Sequence, residues 1–315
     1  MAIKIPYYGS LLSDTYFLMQ SDKTRRDDVN SSSNVTLQPM EITAISHAMH
    51  KMGWKRAAKF MERWLTTPAW KCPDAWKEGS ALPPSLYIPD QHCDDETITM
   101  SWLMQYSHAK EAREELLSKR AFSQAGMSQT AKRLKMLGWQ GKGSYTFGRR
   151  NIFGRPDMSA REVEQYYQNN YIAVADNILT HVLFDTLDDV YGALGTYSLK
   201  STVIGTAFRG TDNKIYLQSD YVGVYVKDYY DFNNNRLDQS LGFWTEDGIL
   251  VRSESLMSKV RGNTIYKGNK LKKVSEFHNS DFLKYREKTN KGGDFIVFSD
   301  VMWIKHEGIY PIPWD

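Results

Sequence analysis

No apolar run in this chain approaches the length needed to cross a bilayer as a helix. Cysteine is scarce: only Cys72 and Cys93 are present, which excludes a disulfide framework and leaves one bridge open. Neither sign of charge dominates, since 40 Lys and Arg face 37 Asp and Glu for a net charge of +3. Nucleic-acid binders carry a basic patch or stripe, so nucleic acid is not an expected partner. The N-terminus, Met1-Ala-Ile-Lys-Ile-Pro-Tyr-Tyr, has no basic region leading into an apolar run. The expectation is therefore synthesis and folding in the cytoplasm without a cleaved signal peptide. Gly141-Lys-Gly-Ser-Tyr-Thr-Phe-Gly148 lacks the spacing and the terminal Lys-Ser/Thr of a phosphate-binding loop. His92-Cys93-Asp94-Asp95 has metal-capable side chains but no second cluster at ligand spacing, so it reads as a loop.

Aromatic residues are plentiful. They make up 13% of the chain, with 9 Trp and 19 Tyr, inside a hydrophobic fraction of 41%. That composition belongs to a folded chain with a sizeable core. The polar run Ser21 to Asn34 predicts an arm over residues 21–38. Ile42, Ile45, Met49 and Met52 then share a helical face. After Gly53, Ala57, Phe60, Met61 and Trp64 resume it as far as Pro68, predicting two short helices or one bent one. Residues 66–97 are punctuated by five prolines and predict a surface loop. Asp95 to about Ala121 reads as helical again, and residues 122–158 as loop or hairpin around the glycines. Ser159-Ala-Arg-Glu162 is a capping box. With Tyr167, Tyr171, Val174, Ile178 and Val182 it predicts a helix ending near Asp185. Asp185, Asp188 and Asp189 form an acidic turn.

From Leu194 the pattern changes to period 2. Strands are predicted over 194–208, 214–227, 241–251 and 294–304, with glycines at turns or bulges. The fold class expected is α+β. A helical N-terminal domain over 1–190 would precede an antiparallel β-rich, open barrel-like domain over 191–315. The basic stretch Lys259 to Lys273 reads as an exposed loop, and Phe277 to Lys288 as a short helix capped by Asn279 or Ser280.

One strand ends unlike the others. Val222, Val224 and Val226 alternate along it, and then Asp228-Tyr229-Tyr230-Asp231 follow before Asn233-Asn234-Asn235 break the pattern. Alternation puts Asp228 and Tyr230 on one face. Asp228-x-Tyr230-Asp231 resembles the Asp-x-Tyr-Asp signature of the colicin M family, whose members hydrolyse lipid II, the undecaprenyl-linked peptidoglycan precursor. Val203-Ile-Gly-Thr206 before it and Gly292-Gly-Asp-Phe-Ile-Val297 after it resemble that family's order of elements. The likeness covers about the last third of the chain. It departs from the family in one place: five residues on, where the pattern has His-Arg, this chain has Leu237-Asp238.

Met52-Gly-Trp54-x-x-Ala57-Ala58-x-x-Met61-Glu-Arg-Trp64, with the Gly292-Gly-Asp-Phe segment, is similar to an uncharacterised bacterial family found beside type VI secretion components. That likeness implies an antibacterial cargo effector, secreted through the apparatus, acting in the periplasm of target bacteria, with a cognate immunity protein. The colicin M likeness implies catalytic roles for Asp228, Tyr230 and Asp231. Asp228 and Asp231 suit general-base work or ligation of a divalent cation such as magnesium. His278 and Arg286 are candidates for the missing acid and cation, and Arg236 for a pyrophosphate clamp. The alternative is a non-enzymatic adaptor of a secretion system, meeting a partner through its Trp and Tyr side chains.

Overall fold

The computed structural model describes residues 39–77, 79, 82–174, 187–232 and 238–314. The predicted polar arm, the Asn233–Asn235 turn, Arg236, Leu237 and Asp185 lie outside the described residues. In chain order the elements are α1 (Ile45–Lys51), α2 (Lys55–Thr66), α3 (Asp74–Lys77), β1 (Cys93–Ile98), α4 (Met100–Leu103) and α5 (Ser107–Glu115). A π-helical turn, Leu116–Arg120, prolongs α5. Then come α6 (Gln124–Met136), β2 (Ser144–Phe147), α7 (Ala160–Tyr166), β3 (Gln168–Val174) and α8 (Asp189–Leu194). The rest is β4 (Tyr197–Arg209), β5 (Ile215–Tyr230), β6 (Ser240–Thr245), β7 (Gly248–Ile249), α9 (Arg252–Val260), β8 (Thr264–Lys267), β9 (Lys270–Lys273), β10 (Ser275–His278), α10 (Asn279–Thr289), β11 (Phe295–Ser299) and β12 (Met302–Ile312).

The fold class is α+β with an open sheet. Strand β5 is its spine. One edge pairs antiparallel with β4 along almost its whole length, Ser198 opposite Lys227 and Arg209 opposite Ile215. The other edge forks: β12 takes Ile215 to Val224, and β11 takes Lys227 to Tyr230. At the fork the Val226 N–H donates to Ser299 Oγ at 2.9 Å, so the backbone stays satisfied where the neighbours change. Beyond β11 lies β1, parallel to it, while β2 and β3 pair with β4. A separate three-stranded sheet is ordered β10-β6-β7, and β8 and β9 form a hairpin.

Residues 38–315 make one compact unit, so the boundary expected near residue 190 does not divide the fold. Strands β1, β2 and β3, all from before that point, belong to the same sheet as β4, β5, β11 and β12. The sheet carries a core on each face. On one side Val224, Val226 and Tyr230 pack with Phe60, Met61 and Trp64 of α2 and with Ala193 and Leu194 of α8. On the other, Val222 and Tyr225 pack with Leu134 of α6 and Val163 of α7.

Several local expectations give way to pairing. The helix predicted from Ser159 to Asp185 stops at Tyr166, because Gln168–Val174 pairs with β4 as a strand. Tyr171, Ile172 and Val174 suit a strand as well as a helix, and Asn169 fastens the change. Its Nδ2 donates to Ala121 O at 2.6 Å and its Oδ1 accepts from Ser201 Oγ at 2.8 Å. His92-Cys93-Asp94-Asp95 leads into β1 instead of forming a loop, and Lys259 to Lys273 contains a hairpin. The two cysteines are free and buried.

Isolated residues 191–315 are expected to lack a cooperative unfolding transition, whereas residues 39–315 retain one. The shorter fragment leaves β4 without β2 and β3, and β11 without β1. Chemical denaturation followed by circular dichroism checks this, and a cooperative transition in the shorter fragment would contradict it.

Candidate functional site

The acidic tip of β5 opens into a cavity of about 370 Å³. Its walls are largely apolar: Met49 and Met61 from the first helices, Leu241 and Trp244 of β6, and Phe277 and Phe282 around the start of α10. Asp228, Asp231, Thr196, Gln239 and Asn279 bring the polar groups. The alternation expected along the strand holds at its tip, whereas Val222 departs from it by packing on the α7 side with Tyr225, apart from Val224 and Val226. Tyr230 faces the α2 side with Asp228, while Lys227 and Tyr229 turn to the α7 side.

The two carboxylates sit in unlike surroundings. Asp228 is half-buried at the cavity wall, and desolvation there pushes its carboxyl well above the usual carboxylate range. One backbone N–H, that of Tyr229, opposes the rise, and the negative charge of Asp231 adds to it. Among the described residues Asp228 makes no hydrogen bond to another side chain. Asp231 is held by a cation: Lys77 Nζ donates to its Oδ1 at 2.8 Å, from the short helix α3. Tyr230 is buried and stacks on Phe295 at 5.0 Å between ring centroids, with Phe60 and Phe232 edge-on to it. Its phenol is pushed up by burial, so it serves mainly as packing that fixes the strand end.

Arg286 and His278 do not join the carboxylates. Arg286 is buried in a clamp around Asp294. Its Nη2 pairs with Asp294 Oδ1, and its Nε donates to Gly292 O at 2.6 Å. Asp294 also accepts from Trp64 Nε1 and from the Cys72 N–H, both at 2.9 Å. Gly292 permits the arrangement: it has φ +100°, and a Cβ there would lie 2.7 Å from the Trp64 ring. The clamp ties α2, the Pro-rich segment, α10 and β11 together, and Trp64 then packs on Phe232, next to Asp231, at 4.8 Å.

His278 misses the cavity for a simpler reason. Side chains alternate at the end of β10, so Phe277 and Asn279 line the wall and His278 points away toward Glu276 and Asp281. Its own N–H donates to Asp281 Oδ2 at 2.9 Å, which caps α10. Asp238, standing where the His-Arg pair was expected, accepts from the Ser280 N–H and Oγ and steadies the same helix start.

Magnesium on Asp228 and Asp231 is not well served by the described residues. Burial drives Asp228 toward its neutral form, Lys77 takes one oxygen of Asp231, and no group of three or more His, Cys, Asp or Glu able to hold a metal forms among them. Lys77 is the residue that sequence reasoning missed. It lies in the Pro-rich segment with no motif around it, and only the tertiary fold brings it across to Asp231. The acidic turn proves structural in its described part. Asp188 caps α8 through the Tyr191 N–H at 2.9 Å, and Asp189 accepts from the Arg56 and Ala57 N–H groups that open α2.

On the opposite face of β5, Glu164 of α7 accepts from Lys200 Nζ at 2.7 Å, Lys227 Nζ at 3.0 Å and Tyr225 Oη at 2.6 Å. Burial raises the Glu164 carboxyl, but Lys200 and Lys227 more than offset this and hold it at about 2. This network pins α7 to the sheet behind the candidate site.

Two stability measurements separate framework from site. Asp294→Asn is expected to cost about 3–5 kcal/mol in denaturant unfolding, because Arg286 is left buried without its partner. Asp228→Asn is expected to stabilise the fold at pH 7. A carboxyl whose folded value is raised supports folding fully below its unfolded value near 4, and that support is lost as pH rises toward the folded value. The advantage of the amide should therefore shrink as pH falls toward about 4, and a pH-independent difference would contradict the burial of Asp228.

No curated protein and no solved structure matches this chain. A match to one protein family spans residues 40–314, from before α1 to the residue after the last proline, and so takes in the cavity, the clamp and the whole sheet. The chain belongs to the family DUF6402, described as a family of unknown function.

Proposed function

We propose that this protein is a hydrolase of an amphiphilic phosphoester, with the lipid-linked precursor of peptidoglycan as its substrate. The observation that carries the proposal is the pair Asp228 and Asp231, one desolvated and one ion-paired to Lys77, on the wall of a cavity lined largely by apolar side chains. A carboxyl raised by desolvation can act as the acid beside a second carboxylate that acts as the base. The apolar walls suit the isoprene units next to the scissile bond. Asp228, kept protonated by burial, gives its proton to the bridging oxygen as the prenol leaves. Asp231 takes a proton from the attacking water, whose oxygen bonds to phosphorus as the phosphorus–oxygen bond to the prenol breaks. The proton gained at Asp231 returns through solvent to Asp228, so the carboxylates end as they began.

Lys77 orients Asp231 and brings a positive charge to it from behind the cavity wall, the charge for which magnesium, Arg236 or Arg286 was expected. The sequence resemblances support the wider setting. In it the chain is an antibacterial cargo of a secretion apparatus, acts on the periplasmic side of target cells, and is neutralised by an immunity protein.

Turnover of detergent-dispersed lipid II, followed as released polyprenol, tests the proposal. Asp231→Asn and Asp228→Asn are each expected to lower kcat by about 10²–10⁴ while the protein stays folded. His278→Ala should leave kcat unchanged, because its side chain faces away from the cavity. Release of prenol by a folded Asp231→Asn variant at the native rate would refute the assignment. So would the absence of any turnover by the native protein.

A further inference from the structure

Between β7 and β10 the chain makes an excursion, residues 252–273, that the proposed chemistry does not use. It holds seven Lys and Arg and a single acid, Glu254. It is folded, not loose: Leu250, Ile265 and Val274 form a small core under it, with Phe243 packed against them. What that core leaves outside is unusual. Leu256, Met257 and Val260, three and four residues apart, share one face of α9. Leu256 is 57% exposed and Val260 83%. On the hairpin Tyr266 and Leu271 are direct cross-strand partners, opposite in facing to the buried Ile265, and Tyr266 is 63% exposed. The Arg261 guanidinium lies 5.9 Å from the centre of the Tyr266 ring, which joins the end of the helix to the hairpin.

Lys267 and Lys272 are paired with Glu254 and Asp247. Arg261 and Lys270 are exposed and have no acidic partner among the described residues. Cationic side chains interleaved with exposed aliphatic and aromatic ones complement one kind of surface, an anionic bilayer. Its headgroups take the charge and its acyl boundary takes the apolar side chains. A nucleic acid would leave Leu256 and Val260 in water.

We propose that residues 252–273 form a docking element for anionic lipid bilayers. The excursion leaves and rejoins the small sheet whose Leu241, Trp244 and Phe277 wall the cavity, so docking would bring that sheet to the membrane. The inference does not rest on the hydrolase reading. Binding is measured without turnover, on lipid that contains no peptidoglycan precursor.

The test is co-sedimentation of the full chain with vesicles of phosphatidylcholine alone and of equimolar phosphatidylcholine and phosphatidylglycerol. Binding to the mixed vesicles, weakened by salt, and little binding to the neutral ones is expected. The double variant Arg261→Gln with Lys270→Gln should lower the partition coefficient about 30-fold. Leu256→Ser with Val260→Ser should lower it by at least about tenfold. All four positions are exposed, so thermal unfolding should stay cooperative and near the native midpoint. Equal binding to both vesicles, binding to neither, native-level binding by both double variants, or retention by duplex DNA in place of vesicles would each overturn the proposal.

Discussion

Strand β5 cannot be served by one neighbour on each edge, and the architecture follows from how that constraint is met. Its sixteen residues outrun β12, which leaves the strand at Val224, and β11 takes over from Lys227. A buried strand end with open N–H and C=O groups would cost more than the fold can bear. The handover keeps the backbone paired up to Tyr230, so the two carboxylates that follow the fork stand on rigid structure instead of a frayed tip. The Asp294 clamp completes the same task. By gripping Trp64, Arg286 and the Cys72 backbone it fixes the entry to β11, and through Trp64 the packing of Phe232 beside Asp231.

Much of this was legible in the sequence, and the parts that were not share a cause. The period-2 run ending in Asp228-x-Tyr230-Asp231 located the strand and the facing of its tip. The Met and Trp stripe located α1 and α2. Local patterning failed where two periodicities fit the same residues, as at Tyr171 and Val174, and where a strand was too short to show a period, as at Cys93–Ile98. Both errors led to a boundary near residue 190 that the shared sheet does not have. Roles that depend on distant partners were beyond sequence reading. Arg286 looks like an available cation until Asp294 is placed beside it, and Lys77 looks like solvent-facing charge until it meets Asp231 across the fold. His278 was displaced by alternation alone, which could have been noticed, since Phe277 and Asn279 flank it.

The site therefore rests on a contrast between two neighbouring acids. One is half-buried and desolvated at the cavity wall without a side-chain partner among the described residues, and the other is anchored by a lysine from a different part of the chain. Unlike environments let one fold carry acid and base functions at a single pH. The apolar walls sharpen the contrast, because they withdraw water from Asp228 and so raise its carboxyl.

Titration of Asp228 itself tests this most directly. With carboxyl carbons of aspartate labelled, and the Asp228 signal assigned by its loss in Asp228→Asn, the chemical shift can be followed with pH in the intact protein. The carboxyl is expected to stay protonated well above the ordinary aspartate value of about 4. Its midpoint should fall in Asp231→Asn, which removes the neighbouring negative charge. A midpoint near 4 in the native protein, unmoved by that substitution, would contradict the division of acid and base roles between the two carboxylates.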